Sequence, residues 1–134
     1  MLFRSRCIDK YRAILCGSGV KSTDIIHEIV PGTVELPLAC RTIARQLRPD
    51  AIACFGGVVD TDTHHARMIM DIFSKGIAEV MLEVDLPILV GVIAVPHFEF
   101  LKARCADDDR NQGIKIALAT TEIVAFRRKY AGGD

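Results

Sequence analysis

The sequence lacks an excess of charge of either sign. Its 134 residues include 17 lysines and arginines against 17 aspartates and glutamates, so the formal net charge is zero. Proteins that bind nucleic acids generally carry a basic excess, because their cations neutralise phosphates. The balanced charge therefore argues against a general nucleic-acid-binding protein.

The sequence also lacks the signals of membrane and secreted proteins. No apolar run approaches the roughly 20 residues that span a bilayer, and residues 1–6 contain no apolar core of a secretion signal. No two of the five cysteines form a Cys-x-x-Cys pair. Scattered thiols with mostly apolar neighbours are typical of a reducing compartment, so we expect a cytoplasmic protein without a membrane partner.

Half of the residues are apolar, which is enough to bury a core, and the length fits one domain. We expect residues 1–134 to form a single domain in which residues 1–6 and 131–134 are irregular. Helical spacing of apolar residues predicts a first helix over residues 7–15 that ends at Gly17 and Gly19.

Three strand–helix units follow this first helix. The predicted strands cover residues 25–30, 51–55 and 88–95, each bounded by glycine or proline. Alternating strands and helices indicate a parallel sheet with helices on both faces. Three strands make a thin sheet with two open edges, so we expect another strand or a partner subunit to complete it.

The stretch after the second predicted strand offers candidate chemistry. Gly56 and Gly57 are predicted to turn the backbone, and Thr63 is predicted to cap the next helix. Free N–H groups at such a helix start attract anions, and His65 supplies an imidazole, a side chain suited to proton transfer. The pattern therefore predicts an anion site beside an acid–base group.

A metal site is a second interpretation of the same stretch. Asp60, Asp62, His64 and His65 supply carboxylate and imidazole groups that suit several divalent ions. Adjacent residues point in different directions, however, so we favour a site without metal.

Three segments resemble the lumazine synthase family. Residues 30–37 read Val-Pro-Gly-Thr-Val-Glu-Leu-Pro, similar to the family's Val-Pro-Gly-Ala-Phe-Glu-Ile/Leu-Pro. Residues 56–65 read Gly-Gly-Val-Val-Asp-Thr-Asp-Thr-His-His, where the family has Gly-x-Val-Ile-Arg-Gly-x-Thr-x-His. Arg104 and the Asn-Gln-Gly at residues 111–113 match the spacing of the family's Arg and Asn-Lys-Gly. The match runs without gaps over about residues 20–126, which makes it specific.

The resemblance implies a flavodoxin-like fold that assembles into pentamers, with active sites between neighbouring subunits. It implies a transferase of riboflavin biosynthesis that condenses 5-amino-6-(ribitylamino)uracil with 3,4-dihydroxy-2-butanone 4-phosphate. No metal or organic cofactor is implied. The expected partners are these small molecules and further copies of the chain.

The resemblance also implies roles for individual residues. His65 matches the proton-transfer histidine, and Thr63 with the backbone of Asp62 matches the phosphate loop. Arg104 matches an arginine that clamps the phosphate from the adjacent subunit. The positions that match contacts to the pyrimidine and the ribityl chain are Thr33, Val34, Glu35, Val58, Val59, Val90 and Gln112.

Several positions depart from the family pattern. Asp60 stands where most members have arginine, and with His97 after the third strand it resembles the family's decamer-forming group. Val34 and Val90 replace pocket aromatics, and Gln112 replaces a lysine. His97 has two open interpretations, a residue facing the pocket or a helix cap.

Nothing in the chain aligns with the family's first strand, so we expect a sheet thinned by its absence. Two alternatives to the enzyme stay open on these grounds. One is a non-catalytic paralogue that keeps the assembly. The other is a module that binds a flavin or lumazine ring without chemistry.

Overall fold

The structure is a computed structural model that describes residues 2–59 and 64–131. These residues form five helices and two strands, and a helix separates the two strands, as the sequence predicts for an α/β protein. In chain order the elements are α1 (Leu2–Gly17), α2 (Leu36–Leu47), β1 (Ile52–Val59), α3 (His65–Val84), β2 (Ile88–Val95), α4 (Phe98–Arg104) and α5 (Gln112–Ala131). None of the helices in these two ranges combines the length and apolar character needed to cross a membrane.

The two strands form a parallel sheet with helices on both faces, which confirms the predicted layers. Ile52 lies opposite Ile88 and Val59 opposite Val95, so the strands pair along their whole length. Helices α2 and α3 cover one face, where Phe73 is the largest fully buried side chain. Helices α1 and α5 cover the other face through a smaller apolar cluster. This cluster contains Tyr11, Leu15, Ile116 and Ala117.

The strand predicted over residues 25–30 is wrong, and the sheet of the described residues has two strands instead of three. A cavity of about 1140 Å³ is lined both by this segment and by residues 51–55. Its β-branched residues favour an extended backbone, but a strand also needs a neighbour for its hydrogen bonds. Ile26 and Ile29 accordingly stay exposed, at 61% and 69% of their surface.

The turn predicted at Gly56 and Gly57 is also wrong, because β1 continues through both glycines to Val59. A Cβ on Gly57 would lie 2.7 Å from Cδ1 of Leu101, which belongs to α4. Glycine at this position therefore lets α4 pack directly on the carboxyl half of β1, and the backbone need not turn there.

The chain ends are more regular than predicted. Helix α1 begins at Leu2, so residues 2–6 are helical, and α5 includes Ala131. Residues 132–134 lie outside the described residues. The predicted end of the first helix is confirmed, since α1 ends at Gly17 and Gly19 has a φ of 102°, a value that favours glycine.

Helix α1 packs closely against the beginning of α5. A Cβ on Gly113 would lie 3.1 Å from the carbonyl carbon of Cys7 and closer still to its oxygen. The Tyr11 hydroxyl forms a hydrogen bond of 3.1 Å with Thr120 of α5. Burial raises the pKa of Tyr11, so this hydroxyl stays protonated at neutral pH. Two contacts therefore hold α1 against α5, the backbone contact of Cys7 with Gly113 and the buried hydrogen bond between Tyr11 and Thr120.

The Gly113 contact predicts a sensitive position. Gly113→Ala should lower the free energy of unfolding by about 1–3 kcal/mol or more, because backbone atoms of α1 must move to accommodate the methyl group. Gly17→Ala is the matched control, since nothing lies within 4 Å of a Cβ at that position, and it should change stability by less than about 0.5 kcal/mol. Urea unfolding followed by circular dichroism measures both. Equal stabilities of the two variants would contradict this account of the packing.

Candidate functional site

One group of candidate residues lies around the carboxyl end of β1. Val58 and Val59 are the last two residues of this strand, and His65 is the first residue of α3. A short 3₁₀ turn, Thr33–Glu35, packs against α3, and Thr33 Oγ1 lies 3.8 Å from the position of a Cβ on Gly56. The structure therefore places the turn beside the carboxyl half of β1, and ligands of parallel α/β proteins bind outside the carboxyl ends of the strands.

His65 has an accessible side chain at the beginning of α3. The residue is exposed, and His64 precedes it at the N-cap position without a side-chain capping hydrogen bond. His64 has helical backbone angles of −66° and 0°, so the helical turn includes it. The predicted phosphate-loop residues Asp62 and Thr63 lie outside the described residues, as do Asp60 and the metal interpretation that involves it. An imidazole in this exposed position can reach a solvent-borne substrate.

Among the described residues, a second group of candidates lines a groove of about 410 Å³ between the end of α4 and the start of α5. Arg104 is the last residue of α4 and Gln112 the first of α5, and both line this groove. His65 and the Thr33–Glu35 turn are not among the lining residues. Val90 lies on β2 with 40% of its surface exposed. Among the described residues, the groove therefore contains Arg104 and Gln112 but none of the candidates around β1.

Positive charge dominates the groove. Arg110 and Lys115 line it together with Arg104, and Asp109 is the acidic lining residue. The guanidinium of Arg110 bonds to Asp108, with Nη2 and Oδ2 2.7 Å apart. Hydrogen bonds from Arg110 lower the pKa of the Asp108 carboxyl, which therefore stays ionised. A surplus of fixed cations in a concave surface suits an anion such as a phosphate ester.

Asn111 holds the loop that connects Arg104 to α5. Its side chain is buried, with the residue 3% exposed. The Nδ2 group donates to the carbonyl of Ala106 at 2.8 Å, and Oδ1 accepts from the N–H of Gly113 at 2.8 Å. Asn111 thus caps α5 and ties the preceding loop to the helix start.

Two further contacts position Arg104. Leu101, one turn earlier on α4, lies against Gly57 of β1. The thiol of Cys7 lies 3.6 Å from the carbonyl oxygen of Arg104. The arginine backbone is therefore held between the sheet and α1, while the side chain remains exposed to the groove.

Sequence reasoning missed three residues of this groove. Arg110 and Lys115 were not predicted, although a cluster of basic residues around an Asn-Gln-Gly segment could have indicated them. Asn111 was used only as a spacing marker, although an asparagine directly before a helix is a recognised N-cap.

His97 occupies the N-cap position of α4, and its ring stacks on Phe100 with centroids 6.1 Å apart.

The Asn111 clamp generates a stability prediction. Asn111→Ala should lower the free energy of unfolding by about 1–3 kcal/mol, because the Ala106 carbonyl and the Gly113 N–H lose their partner. Gln112→Ala is the adjacent control and should change stability by less than about 0.5 kcal/mol. Equilibrium denaturation measures the free energy of unfolding of both variants. An equal loss of stability in Gln112→Ala and Asn111→Ala would refute the proposed role of the Asn111 hydrogen bonds.

A family model and individual relatives with similar sequences agree on one family. The family model of 6,7-dimethyl-8-ribityllumazine synthase matches residues 2–128. A 6,7-dimethyl-8-ribityllumazine synthase from Xanthomonas euvesicatoria pv. vesicatoria is 34% identical over 113 residues, which cover 84% of this chain and 73% of that protein. A protein of the same name from Desulfotalea psychrophila is 35% identical over 109 residues, covering 81% and 70% of the two chains.

Proposed function

Because the chain belongs to the 6,7-dimethyl-8-ribityllumazine synthase family, we propose that it condenses 5-amino-6-(ribitylamino)uracil with 3,4-dihydroxy-2-butanone 4-phosphate. The reaction releases phosphate and water and makes the chain a transferase of riboflavin biosynthesis. The family match over residues 2–128 carries the proposal. Five free cysteines, four of them buried, favour the reducing cytoplasm as its location.

His65 is the proposed proton-transfer group. The amine of the uracil attacks the ketone, and the resulting imine forms only when protons move to and from the reacting atoms. Imidazole is suited to this task at neutral pH. The exposed position of His65 at the start of α3, six residues after Val59, leaves its ring free to meet a substrate at the strand end.

The basic groove is the proposed phosphate site. Departure of phosphate requires positive charge near its oxygens, and a guanidinium can donate two parallel hydrogen bonds to them. Arg104 supplies this group, and Lys115 adds a second positive charge in the same groove. Asp62 and Thr63 remain proposed phosphate contacts from the loop before α3. Gln112 lines the groove beside Arg104 and is placed to contact the substrates.

The turn at Thr33–Glu35 and the strand end at Val58 and Val59 form the proposed binding surface for the uracil and its ribityl chain. The hydroxyl of Thr33 and the carboxylate of Glu35 can bond to ribityl hydroxyls. The backbone of Val58 and Val59 can bond to the polar edge of the pyrimidine. Val34, 41% exposed, and Val90, 40% exposed, offer apolar surface to the ring in place of aromatics.

We propose that two subunits complete this site. His65 is not among the described residues that line the groove of Arg104. Family members form oligomers, and α5 exposes large apolar side chains that suit a neighbouring subunit. These residues are Leu118, Phe126 and Tyr130. We therefore propose a pentamer or decamer in which Arg104 enters the site of the adjacent subunit.

The role of His65 is tested by its removal. His65→Ala should lower kcat by about 10²–10⁴-fold in an assay with both substrates, because general acid–base catalysis is lost. His64→Ala, which changes the neighbouring exposed histidine, should leave kcat close to that of the unaltered chain. A His65→Ala variant that retains full turnover would refute the assignment. An unaltered chain that forms the oligomer but gives no product would favour the non-catalytic paralogue instead.

The role of Arg104 predicts a change in substrate binding. Arg104→Ala should raise KM for the butanone phosphate by about 10–100-fold, because charge-assisted hydrogen bonds to the phosphate are lost. Lys102→Ala removes the same charge from the same helix and should leave KM unchanged. Steady-state kinetics with the uracil substrate in excess measures both variants.

Mixing the two impaired variants, assayed at a butanone phosphate concentration well below the raised KM of Arg104→Ala, tests whether the site is shared. When His65→Ala and Arg104→Ala chains are unfolded and refolded together at equal amounts, about one interface in four should combine an intact His65 with an intact Arg104 from a neighbour. Turnover should therefore recover to about a quarter of the unaltered level. No recovery, from a mixture that sedimentation shows to be fully assembled, would place both residues in the same subunit's site.

A further inference from the structure

Two pairs of buried thiols lie close together in the described residues. The sulfurs of Cys7 and Cys105 are 2.7 Å apart, and those of Cys40 and Cys54 are 3.3 Å apart. All four residues are at most 4% exposed. Cys16, on α1, is exposed to solvent.

The Cys7–Cys105 pair joins two elements that are far apart in sequence. Cys7 lies on α1, and Cys105 follows Arg104 directly at the end of α4, 98 residues later. An ion pair of 3.3 Å between Lys10 and Asp107 connects the same two regions. The two sulfurs are thus held facing each other by contacts around them. A disulfide bond is about 2.05 Å long, so its formation requires the sulfurs to approach by less than about 1 Å.

We propose that Cys7 and Cys105 form a site of reversible oxidation, at which a small peroxide converts the two thiols into a disulfide that fastens α1 to the end of α4. One thiol gives up its proton and the thiolate attacks a peroxide oxygen; the O–O bond breaks, and the leaving hydroxide takes up that proton, so that a sulfenic acid and water form. The second thiol attacks the sulfenic sulfur, the S–O bond breaks, and a second water leaves as the S–S bond forms. Both sulfurs are oxidised, and one hydrogen peroxide is reduced to two waters.

The surroundings favour this pair over Cys40 and Cys54. Cys40 and Cys54 lie within the apolar cluster between α2, α3 and the sheet. Cys105 instead begins a polar loop, in which the Asp107 side chain is 88% exposed. Burial and the adjacent Cys7 raise the pKa of Cys105 to about 12, so Cys105 rests as a thiol at neutral pH. A small peroxide can therefore reach Cys105 when this polar loop opens, whereas access to Cys40 and Cys54 requires the apolar cluster to open.

The disulfide would also restrain the residue beside it. Cys105 adjoins Arg104, and the Cys7 thiol already lies 3.6 Å from the Arg104 carbonyl. Oxidation therefore restricts the backbone that presents the guanidinium to the groove. This consequence rests on the proposed function, whereas the oxidation site itself does not.

The experiment treats the purified, reduced full-length chain with hydrogen peroxide, blocks the remaining thiols and maps cross-linked peptides by mass spectrometry. We expect a Cys7–Cys105 cross-link that dithiothreitol reverses, and a rise in Tm of about 5–15 °C because a long loop is closed. Cys7→Ser should abolish both effects. Cys40→Ser, at the other buried pair, and Cys16→Ser, at the exposed thiol, should retain both.

The mapping of the unaltered chain decides the question even where a serine variant fails to fold. A cross-link confined to Cys40 and Cys54, or oxidation of Cys7 to higher acids without a cross-link, would overturn the site. Turnover is measured separately on the reduced chain. Absent turnover with an intact cross-link would overturn the proposed function alone, and normal turnover without a cross-link would overturn the oxidation site alone.

Discussion

The contact between α1 and the first turn of α5 is the constraint on which the candidate groove depends. Backbone atoms of Cys7 lie so close to Gly113 that no side chain fits between them. Gly113 is in turn bonded to Asn111, and Asn111 to Ala106. The loop between Arg104 and α5 is therefore held by two contacts. Gly113 packs against α1, and the buried side chain of Asn111 bonds both to Gly113 and to the loop. A loop of exposed charged residues has little apolar area to bury, so such specific contacts must hold it.

The same contacts show how much of the site the sequence could predict. The strand at residues 88–95 was readable because it is a continuous apolar run between two prolines, and the helix from Leu36 was readable because its apolar residues recur at helical spacing. The family resemblance predicted Arg104 and Gln112, and the structure brings both to one groove. The basic residues around the Asn-Gln-Gly segment are visible in the sequence, but the sequence does not record which neighbour each of them will meet, so Arg110 and Lys115 were missed.

The incorrect strand at residues 25–30 illustrates a limit of local patterns. Its residues have a strong preference for extended backbone, and Ile25 is indeed extended. Whether such a segment becomes a strand depends on a hydrogen-bonding partner, which the local sequence does not record. The glycines of β1 show the converse case. Gly56 and Gly57 resemble turn residues, yet β1 pairs through them, and Gly57 is needed where α4 crosses the strand.

The separation of His65 from the basic groove connects fold to assembly. Catalysis of a two-substrate condensation gains most when the reacting groups are held in one geometry, an effect worth roughly 7–11 kcal/mol. In the described residues, His65 at the start of α3 does not line the groove that contains Arg104. In the proposed oligomer, docking of a second copy brings the two groups together. The packing that holds the backbone of Arg104 then favours binding. A groove that is already ordered loses little conformational entropy when it contacts a substrate bound to the adjacent subunit.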